Sequence, residues 1–509
     1  MLVRWICESN LSLWLQGLAE MQIPPTLACI ESPKSQEHLR LGYVWSITLV
    51  AALGGLLFGY DWVVIGGAKP FYQVFFRLDT VQSIGWANSC ALIGCLLGAL
   101  SGGVLSERFG RKRVLLASAL LFAISSVLTG WSFQFFSFVF WRIAGGVAIG
   151  LASNVSPTYI AEISPSSWRG RLVSLNQMAI VIGILCAQIV NWRIADQMTS
   201  GAASINAITS WNVQYGWRWM FAAVAIPAVI LMIATPFIPE SPRWLAARQR
   251  GPEAIQVLRR IGGEQYSLEQ YQAIESSLEN GTKSVRWAEM LRPGTRKLLV
   301  VGLLLVLLQQ GSGINVLFNY AQEVYRAAGY GVNDILFNIV ITGTINLIFT
   351  VFAIMLVDRI GRRRLMLIGS IAIGLSHLGV GWAYYAHLRG TLILILTLCA
   401  IASYAMTLAP VTWVLITEIF PNRVRASAVS ITVAGLWISS FLLTYTFPLI
   451  NSSAGPAGAF LVYAGICFAG AGFVYLAVPE TTGRSLEQLG EMTISEQPGE
   501  SGSHRLIRR

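Results

Sequence analysis

Residues 298–320 read LLVVGLLLVLLQQGSGINVLFNY and place three amides, Gln309, Gln310 and Asn315, near the middle of an apolar segment. A segment of this length crosses a bilayer as a helix, and a polar group without a partner is costly there. Two glycines flank Ser312 between the amides and weaken the helix. Irregular backbone at membrane depth survives only beside protein or a water-filled cavity. The stretch therefore predicts a membrane-spanning helix that loosens at a polar centre.

Two interpretations of these amides are open at this point. Amide side chains both donate and accept hydrogen bonds, which suits a neutral solute rich in hydroxyl groups. Alternatively, the amides join neighbouring helices, and the small residues between them let two backbones approach closely.

The rest of the chain has the composition of an integral membrane protein. Of its 509 residues, 54% are hydrophobic and only 12% are charged. Soluble proteins carry about 25% charged residues. Twelve segments are apolar and long enough to cross a bilayer. They are residues 43–67, 82–105, 114–132, 135–161, 172–192, 217–238, 298–324, 334–357, 365–386, 391–417, 428–450 and 458–478. We therefore expect an all-α membrane protein with twelve transmembrane helices.

The net charge of +11 does not indicate a nucleic-acid partner, because the basic residues follow the order of the segments. Loops after the second, fourth, eighth and tenth segments carry Arg108, Arg111, Lys112, Arg113, Arg169, Arg171, Arg359, Arg362, Arg363, Arg364, Arg423 and Arg425. The opposite loops are expected to carry Lys69, Arg77, Arg193, Arg218, Arg326 and Arg389. Loops rich in Lys and Arg stay in the cytoplasm, which predicts that both termini are cytoplasmic.

Three further regions lie outside the segments. Residues 1–42 lack the pattern of a secretory signal, and we expect an N-terminal cytoplasmic tail or a start codon assigned too far upstream. Residues 239–297 are polar and predict an intracellular helical linker, and residues 479–509 a cytoplasmic C-terminal tail. The seven cysteines lack the spacing of a zinc site or a disulfide framework, so no metal or cofactor is expected.

Three motifs recur between the two halves of the chain. Acid-Arg-x-Gly-Arg occupies 107–111 and 358–362, Glu-Ile-x-Pro with a following Arg occupies 162–169 and 418–425, and Pro-Glu occupies 239–240 and 479–480. The repeats predict two duplicated six-helix bundles, residues 43–238 and 298–478. Their charged residues predict salt bridges of a cytoplasmic gate, formed by Glu162, Arg169, Arg111, Glu418, Arg425 and Arg362.

Asp61 lies inside the first segment and Arg142 inside the fourth. A charge at the bilayer centre costs roughly 2.5–3.5 kcal/mol on insertion scales, so each needs a partner or a function. Each lies about six or seven residues below the outer end of its segment, so we predict that they face one another. A carboxylate that pairs with arginine and then separates from it can take up and release a proton. The alternative is that Asp61 is hydrated at the outer interface.

Together these residues resemble the sugar porter family of the major facilitator superfamily, and its bacterial xylose–proton symporters in particular. The matching motifs run in order across residues 42–490. They are Phe58-Gly59-Tyr60-Asp61, Gly110-Arg111-Lys112, Tyr159-Ile160-Ala161-Glu162, Pro239-Glu240-Ser241-Pro242-Arg243-Trp244, Gln309-Gln310 with Gly313-Ile314-Asn315, Asp358-Arg359-Ile360-Gly361-Arg362 and Pro479-Glu480-Thr481.

The resemblance implies two six-helix bundles around a central cavity, with proton coupling through Asp61 and Arg142. It implies sugar contacts by Gln177, Gln309, Gln310, Asn315, Asn346 and Trp413, with Phe58 and Trp437 lining the cavity. For the two tryptophans, plain packing is the alternative. Asn319 stands where the family usually has a second aromatic, and it joins the predicted sugar contacts. Further departures are Leu436, Ala409 and Ile184, so xylose cannot simply be carried over as the substrate.

The sequence thus predicts a pentose or hexose:proton symporter that works by alternating access as a monomer in a bacterial inner membrane. Its expected partners are the monosaccharide, a proton and the lipid bilayer. A facilitative sugar uniporter is the first alternative, although animal glucose carriers have Asn at the position of Asp61. A transporter-like sugar sensor would need a long signalling tail. No nucleophile–base or metal constellation in the sequence indicates an enzyme.

Overall fold

The structure, a computed structural model, describes residues 39–195, 209–280, 293–388, 390–420, 424–478 and 480. The predicted N-terminal tail up to residue 38, linker residues 281–292, and the C-terminal tail apart from residue 480 lie outside the described residues. Within those ranges, every regular element is a helix, as the apolar segments predict.

The first half of the chain contributes six crossings. The first five are α1 (Leu41–Phe75), α2 (Val81–Phe109), α3 (Arg111–Gly130), α4 (Phe135–Ile163) and α5 (Arg169–Ile194). The sixth, Asn212–Phe237, is segmented. It contains a π-helical turn, α6 (Trp217–Ala222), α7 (Ala225–Ala234) and a final 3-10 turn.

The linker and the second half follow. The linker contains α8 (Pro242–Ala247) and α9 (Gly251–Asn280), which Gly263 divides into two helices with a φ of +86°. Ser241 Oγ caps α8 by accepting from the Trp244 N–H over 3.2 Å. The second half contains α10 (Pro293–Gly311), α11 (Ile314–Asn319), α12 (Ala321–Ala327), α13 (Val332–Ile360), α14 (Arg362–Tyr385), α15 (Thr391–Met406), α16 (Leu408–Glu418) and α17 (Arg425–Ala477).

The last helix, α17, accounts for two crossings. Its 53 residues would extend ~80 Å at 1.5 Å per residue, more than twice the ~30 Å hydrocarbon core. Gly455 interrupts it with a φ of +69°, and Pro456 follows directly. In the described chain, eleven helices are long and apolar enough to cross a membrane. Counting α17 twice gives the predicted twelve crossings.

The crossings form two bundles that meet along four pairs of helices. In the first half α2 packs on α4, α1 on α5, and α3 on α4; in the second, α14 packs on α15 and α17, and α10 on α17. Between the halves, α2 packs on α17, α5 on α13, and α1 on α11 and α12. The chain is therefore an all-α membrane protein with two six-helix bundles.

Glycines permit the closest packing within the first bundle. A Cβ added at Gly94 of α2 would lie 2.0 Å from the carbonyl oxygen of Ile143, and one added at Gly146 of α4 would lie 1.9 Å from that of Ala91. Backbones at this distance leave no room for a side chain, a known mode of helix association in membranes. This packing holds α4, which carries Arg142, in a fixed position.

The first helix is longer than predicted. It continues to Phe75 rather than ending near residue 67. The assignment of Lys69 to a loop was therefore wrong, since its side chain lies within α1 and is only 1% exposed. Asp61 is also farther from the helix end than expected and only 3% exposed, which excludes its hydration at an interface. The apolar residues on both sides of Lys69 extend the helix.

Candidate functional site

A buried ion pair joins α1 and α4. Arg142 Nη1 donates to Asp61 Oδ1 over 2.8 Å, which confirms the predicted contact between the two side chains. Both residues are buried, and the guanidinium also lies 5.2 Å from the centre of the Phe221 ring. An ion pair within an apolar bundle is costly to desolvate, so such pairs usually mark a functional site.

The pair leaves part of its hydrogen-bonding capacity unused. Among the described residues, neither Asp61 Oδ2 nor Arg142 Nε has a hydrogen-bond partner. Gly145 leaves little space nearby, because a Cβ there would lie 3.2 Å from Ser125 Oγ and 3.8 Å from Asp61 Oδ2. One carboxylate oxygen can therefore accept a proton without first breaking the bond to Arg142.

The predicted amides lie at a break in the seventh crossing. Helix α10 ends at Gly311, Gly313 adopts a φ of +81°, and α11 begins at Ile314. Glycine tolerates this left-handed conformation without the penalty that a Cβ brings. Across the break, Asn315 Nδ2 donates to Gln310 Oε1. The sequence prediction of a loosened helix is confirmed, and the break brings two of the predicted sugar contacts together.

The third amide ties the break to the tenth crossing. Gln309 Nε2 donates to the carbonyl oxygens of Leu408 and Ala409, both over 3.3 Å, at the start of α16. Within the described chain, Gln309 Oε1 and Asn319 Oδ1 are buried without a hydrogen-bond partner. Buried polar atoms are nearly always paired, so these two acceptors are candidates for ligand hydroxyls. The alternative interpretation, an amide that joins two helices, also holds for Gln309, because its Nε2 donates to the backbone of α16.

An aromatic cluster lies between the first and eleventh crossings. The ring of Trp437 lies 5.9 Å from Phe58 and 5.8 Å from Trp62, and the latter two rings lie 6.0 Å apart. Trp437 is buried, and none of the described residues accepts a hydrogen bond from its Nε1. Trp62 was missed in the sequence, although its spacing of four residues from Phe58 places both rings on one helix face. It directly follows Asp61 and so links the acid to the aromatic cluster.

The remaining predicted sugar contacts are less closely connected. Helix α5 approaches α1 near Gln177, because a Cβ at Gly59 would lie 1.9 Å from the carbonyl oxygen of Ile180. Gln177 is partly buried, Asn346 is buried and Trp413 is 37% exposed. In the described structure, no side-chain hydrogen bond or ring contact joins these three to the other predicted residues. Their binding roles stay predictions.

The first charge cluster lies where α2 turns into α3. We call the surface that carries the ion pairs Arg111–Glu162 and Arg362–Glu418 the arginine-rich face. Arg111 donates from Nε (2.9 Å) and Nη2 (3.0 Å) to the two carboxylate oxygens of Glu162. Arg169 donates instead to the carbonyl of Ala161 over 3.1 Å. Glu240 Oε1 accepts from two backbone N–H groups at the start of α3, over 2.9 and 3.1 Å. A carboxylate here complements the positive end of the helix dipole.

The second half repeats this arrangement. Arg362 Nη2 lies 3.5 Å from Glu418 Oε1, and Arg425 donates to the carbonyl of Phe420 over 3.2 Å. Glu480 Oε1 accepts from the backbone N–H of Arg362 over 3.0 Å. The repeated Pro-Glu motif thus supplies the carboxylate that caps the third helix of each half. Each ion pair joins helices of one half, so a gate formed between the halves stays a prediction.

On the face opposite the arginine-rich face, an ion pair that the sequence analysis missed joins the two halves. Lys69 Nζ of α1 pairs with Glu323 Oε1 of α12, and the ammonium also lies 4.0 Å from the centre of the Tyr320 ring. Lys69 is buried, whereas the Glu323 side chain is 31% exposed. Placing Lys69 in a loop hid this pair, although a charge next to an apolar segment could have drawn attention to it.

Further contacts between the halves lie near this ion pair. A cavity of about 270 Å³ lies beside it and is lined by both charges and by Gln322 and Asn451. Backbones meet at Gly66, where a Cβ would lie 2.4 Å from the carbonyl oxygen of Phe318. The two halves are therefore held together on this face.

Comparisons with known proteins agree with this geometry. Residues 47–493 match the family model described as "Sugar (and other) transporter". The chain is 39% identical to the D-xylose-proton symporter of Escherichia coli (strain K12), over 88% of this chain and 95% of that protein. It is 36% identical to the arabinose-proton symporter of Bacillus subtilis (strain 168), over 93% of this chain and all of that protein. The inward-open structure of the xylose transporter XylE from E. coli superposes with a TM-score of 0.78, at 37% identity, over 88% of this chain and 99% of that one.

Proposed function

The chain belongs to the sugar transporter family of the major facilitator superfamily, and we propose that it carries a monosaccharide together with a proton by alternating access. The observation that carries this proposal is the buried ion pair of Asp61 and Arg142 at 2.8 Å. A carrier that only equilibrates sugar has no need of an acid in this position. The related D-xylose and arabinose symporters, which both use a proton, support the same conclusion.

Asp61 is the proposed proton carrier. Its Oδ2 lacks a partner within the described residues and can accept the proton directly. Protonation neutralises Asp61 and removes its attraction to Arg142, since only a charged carboxylate pairs strongly with a guanidinium. Arg142 remains over the Phe221 ring and can then turn toward other acceptors. Release of the proton restores the pair and resets the first half.

The sugar site is proposed at the break in the seventh crossing and the aromatic cluster. Gln309, Gln310 and Asn315 offer amide donors and acceptors, and Trp437 offers an N–H that none of the described residues accepts. A sugar presents hydroxyls at its edge and C–H groups on its face, which suits amides beside an aromatic ring. Asn319 adds an acceptor at the position where the family resemblance implies an aromatic residue. The site suits a pentose or a hexose, with Gln177, Asn346, Trp413 and Phe58 completing its wall.

The structure is proposed to represent the inward-facing state of the transporter. The halves meet at Lys69 and Glu323 on one face, and the arginine-rich ion pairs on the other face stay within each half. The similarity to the inward-open xylose transporter supports this assignment. The arginine-rich face is then cytoplasmic, in agreement with its charge. The gate residues Arg111, Glu162, Arg362 and Glu418 are proposed to pair across the halves when the opposite face opens.

The proposed setting is a bacterial inner membrane, with both termini in the cytoplasm and the protein acting as a monomer. The two bundles, residues 43–238 and 298–478, are proposed as the two bodies that move relative to one another. The linker, residues 239–297, joins them. The family consists of transporters, and no enzymatic step is proposed.

Uptake by purified protein in proteoliposomes tests this function. Labelled pentoses and hexoses are offered with and without a pH gradient that is acid outside. A proton gradient equivalent to ~100 mV supplies about 2.3 kcal/mol for each proton that enters. This is enough for on the order of 50-fold accumulation of the sugar. The proposal predicts uphill uptake of at least one sugar, abolished by a protonophore. Equilibration of the sugar without accumulation in either condition would indicate a uniporter instead.

A further inference from the structure

The break between α10 and α11 leaves a backbone carbonyl in need of a partner. The Ser312 N–H still donates to the carbonyl of Leu308 over 2.9 Å, as in a helix. Gly313 then turns the chain into the left-handed region, so the Ser312 carbonyl leaves the helical pattern. A carbonyl without a hydrogen bond in apolar surroundings is strongly unfavourable. The stability of this break therefore depends on a donor from outside the seventh crossing.

His377 of α14 supplies that donor. Its Nε2 lies 2.8 Å from the carbonyl oxygen of Ser312, and its side chain is completely buried. A carbonyl oxygen can only accept, so Nε2 carries the proton. In the part of the chain that the structure describes, Nδ1 has no hydrogen-bond partner, which fits a neutral ring with one N–H. One histidine tautomer is thus selected by the break itself.

Neighbouring aromatic rings hold the imidazole in place. Its centre lies 5.4 Å from the ring of Phe460 and 6.2 Å from the ring of Tyr463, both in α17. Tyr463 also packs against the break, because a Cβ at Gly313 would lie 2.6 Å from its ring. The Cys467 thiol, also in α17, donates a second and weaker hydrogen bond to the Ser312 carbonyl over 3.8 Å. These residues lie in the ninth and twelfth crossings, which carry none of the predicted sugar contacts. The ninth and twelfth crossings therefore determine where the break lies.

The break sets the spacing of the amides on either side of it. Gln309 and Gln310 precede it, Asn315 follows it, and the bond between Asn315 and Gln310 crosses it. Without His377, the weak thiol donor of Cys467 is left to hold the Ser312 carbonyl. The peptide plane before Gly313 can then rotate at little steric cost, since glycine has no Cβ. Such a rotation displaces α11 relative to α10 and separates the amides.

We propose that His377 is a positioning residue for the sugar site, because its hydrogen bond to Ser312 fixes the break that orients Gln310 and Asn315. This inference rests on the sugar-binding function proposed above. It goes beyond that function because it assigns part of the affinity for sugar to His377 of the ninth crossing. The His377 side chain bonds to Ser312 rather than to the amides. The competing view is that His377 only fills space among Phe460 and Tyr463.

Three variants of the full-length protein separate these views. His377→Leu fills space but has no donor, whereas His377→Gln places an amide N–H the same number of bonds from the backbone as Nε2. Ser376→Ala is the matched control, since Ser376 donates to Ala372 of its own helix over 2.8 Å. Uptake of D-xylose and D-glucose gives KM and the maximal rate, and calorimetry gives the affinity.

Loss of one buried hydrogen bond weakens binding by about tenfold, which is ~1.4 kcal/mol. His377→Leu is expected to raise KM and the dissociation constant by about this factor, with the maximal rate near that of the wild type. His377→Gln should restore most of the affinity, and Ser376→Ala should leave it unchanged. Unchanged affinity in His377→Leu, or equal losses in the Leu and Gln variants, would overturn the proposal.

A measurement on the wild-type protein decides the matter even if His377→Leu does not fold. The chain has four histidines, so ¹⁵N-histidine NMR with His377→Gln as the assignment reference can identify its signal. The proposal predicts a protonated Nε2, slow hydrogen exchange and a change on addition of sugar. A protonated Nδ1 with a bare Nε2 would overturn it. Failure of the wild type to bind any of the pentoses and hexoses offered in the uptake assay would instead contradict the proposed function, while the NMR result still reports on the hydrogen bond.

Discussion

Arg142 Nη1 donates to Asp61 Oδ1 over 2.8 Å, and this contact joins α1 and α4 where both side chains are shielded from solvent. The two charges compensate one another, so each protects the bundle from the cost of an isolated buried ion. The contact therefore makes predictions for stability as well as for transport.

Arg142→Gln is expected to destabilise the protein by about 3–5 kcal/mol, because it leaves Asp61 buried without its counter-charge. Adding Asp61→Asn should restore most of that stability, since no buried charge remains, but not the accumulation of sugar. Thermal unfolding of the two single variants and the double variant measures the coupling. A double variant as unstable as Arg142→Gln alone would show that the two charges do not depend on one another.

Lys69→Met is expected to favour opening of the face opposite the arginine-rich face, because it removes an ion pair between the halves and leaves the partly exposed Glu323 hydrated. A cysteine at Asn451, in the adjoining cavity, should react roughly fivefold faster with an impermeant thiol reagent, the equivalent of ~1 kcal/mol. The exchange Lys69→Glu with Glu323→Lys should slow the reaction again.

Arg250→Gln serves as the control for the Lys69 experiment. Arg250 directly precedes α9 and pairs with Glu253 in its first turn, with both side chains about half exposed. Loss of an exposed pair has little effect on a protein, so the labelling rate should not change. An equal effect of Arg250→Gln and Lys69→Met would contradict the assignment of Lys69 and Glu323 as a contact that closes this face.

Trp437→Phe is expected to raise KM for the sugar roughly fivefold to tenfold, because it keeps an aromatic ring but removes the N–H that has no partner among the described residues. The same substitution at Trp382, whose side chain is 58% exposed on α14, is the matched control. Transport kinetics of both variants measure the difference. Equal KM values for the two variants would favour plain packing of Trp437.

Much of this architecture could be predicted from the sequence. The length of the apolar segments predicted the membrane crossings. The repeated motifs predicted the ion pairs Arg111–Glu162 and Arg362–Glu418. The contact between Asp61 and Arg142 was also predicted, although α1 extends to Phe75 and the counted distance of Asp61 from the end of its helix was too short. The prediction of the contact is confirmed because a buried charge in an apolar bundle needs a partner of opposite charge.

Contacts that depend on tertiary packing were not predicted. Lys69 was assigned to a loop, since local hydropathy does not show that α1 continues beyond its most apolar part. His377 looks like a lone polar residue until the break at Ser312 is seen beside it. Such contacts arise from irregular backbone in one crossing and a side chain in another, and sequence spacing carries no record of that pairing.

Sugar accumulation by Asp61→Asn tests the central claim most directly. In proteoliposomes with a pH gradient that is acid outside, the wild type should concentrate its sugar, whereas Asp61→Asn should only equilibrate it. The variant should still exchange labelled for unlabelled sugar at a rate near that of the wild type, because its sugar site is intact. Uphill accumulation by Asp61→Asn would contradict the account, since the proton would then be carried elsewhere.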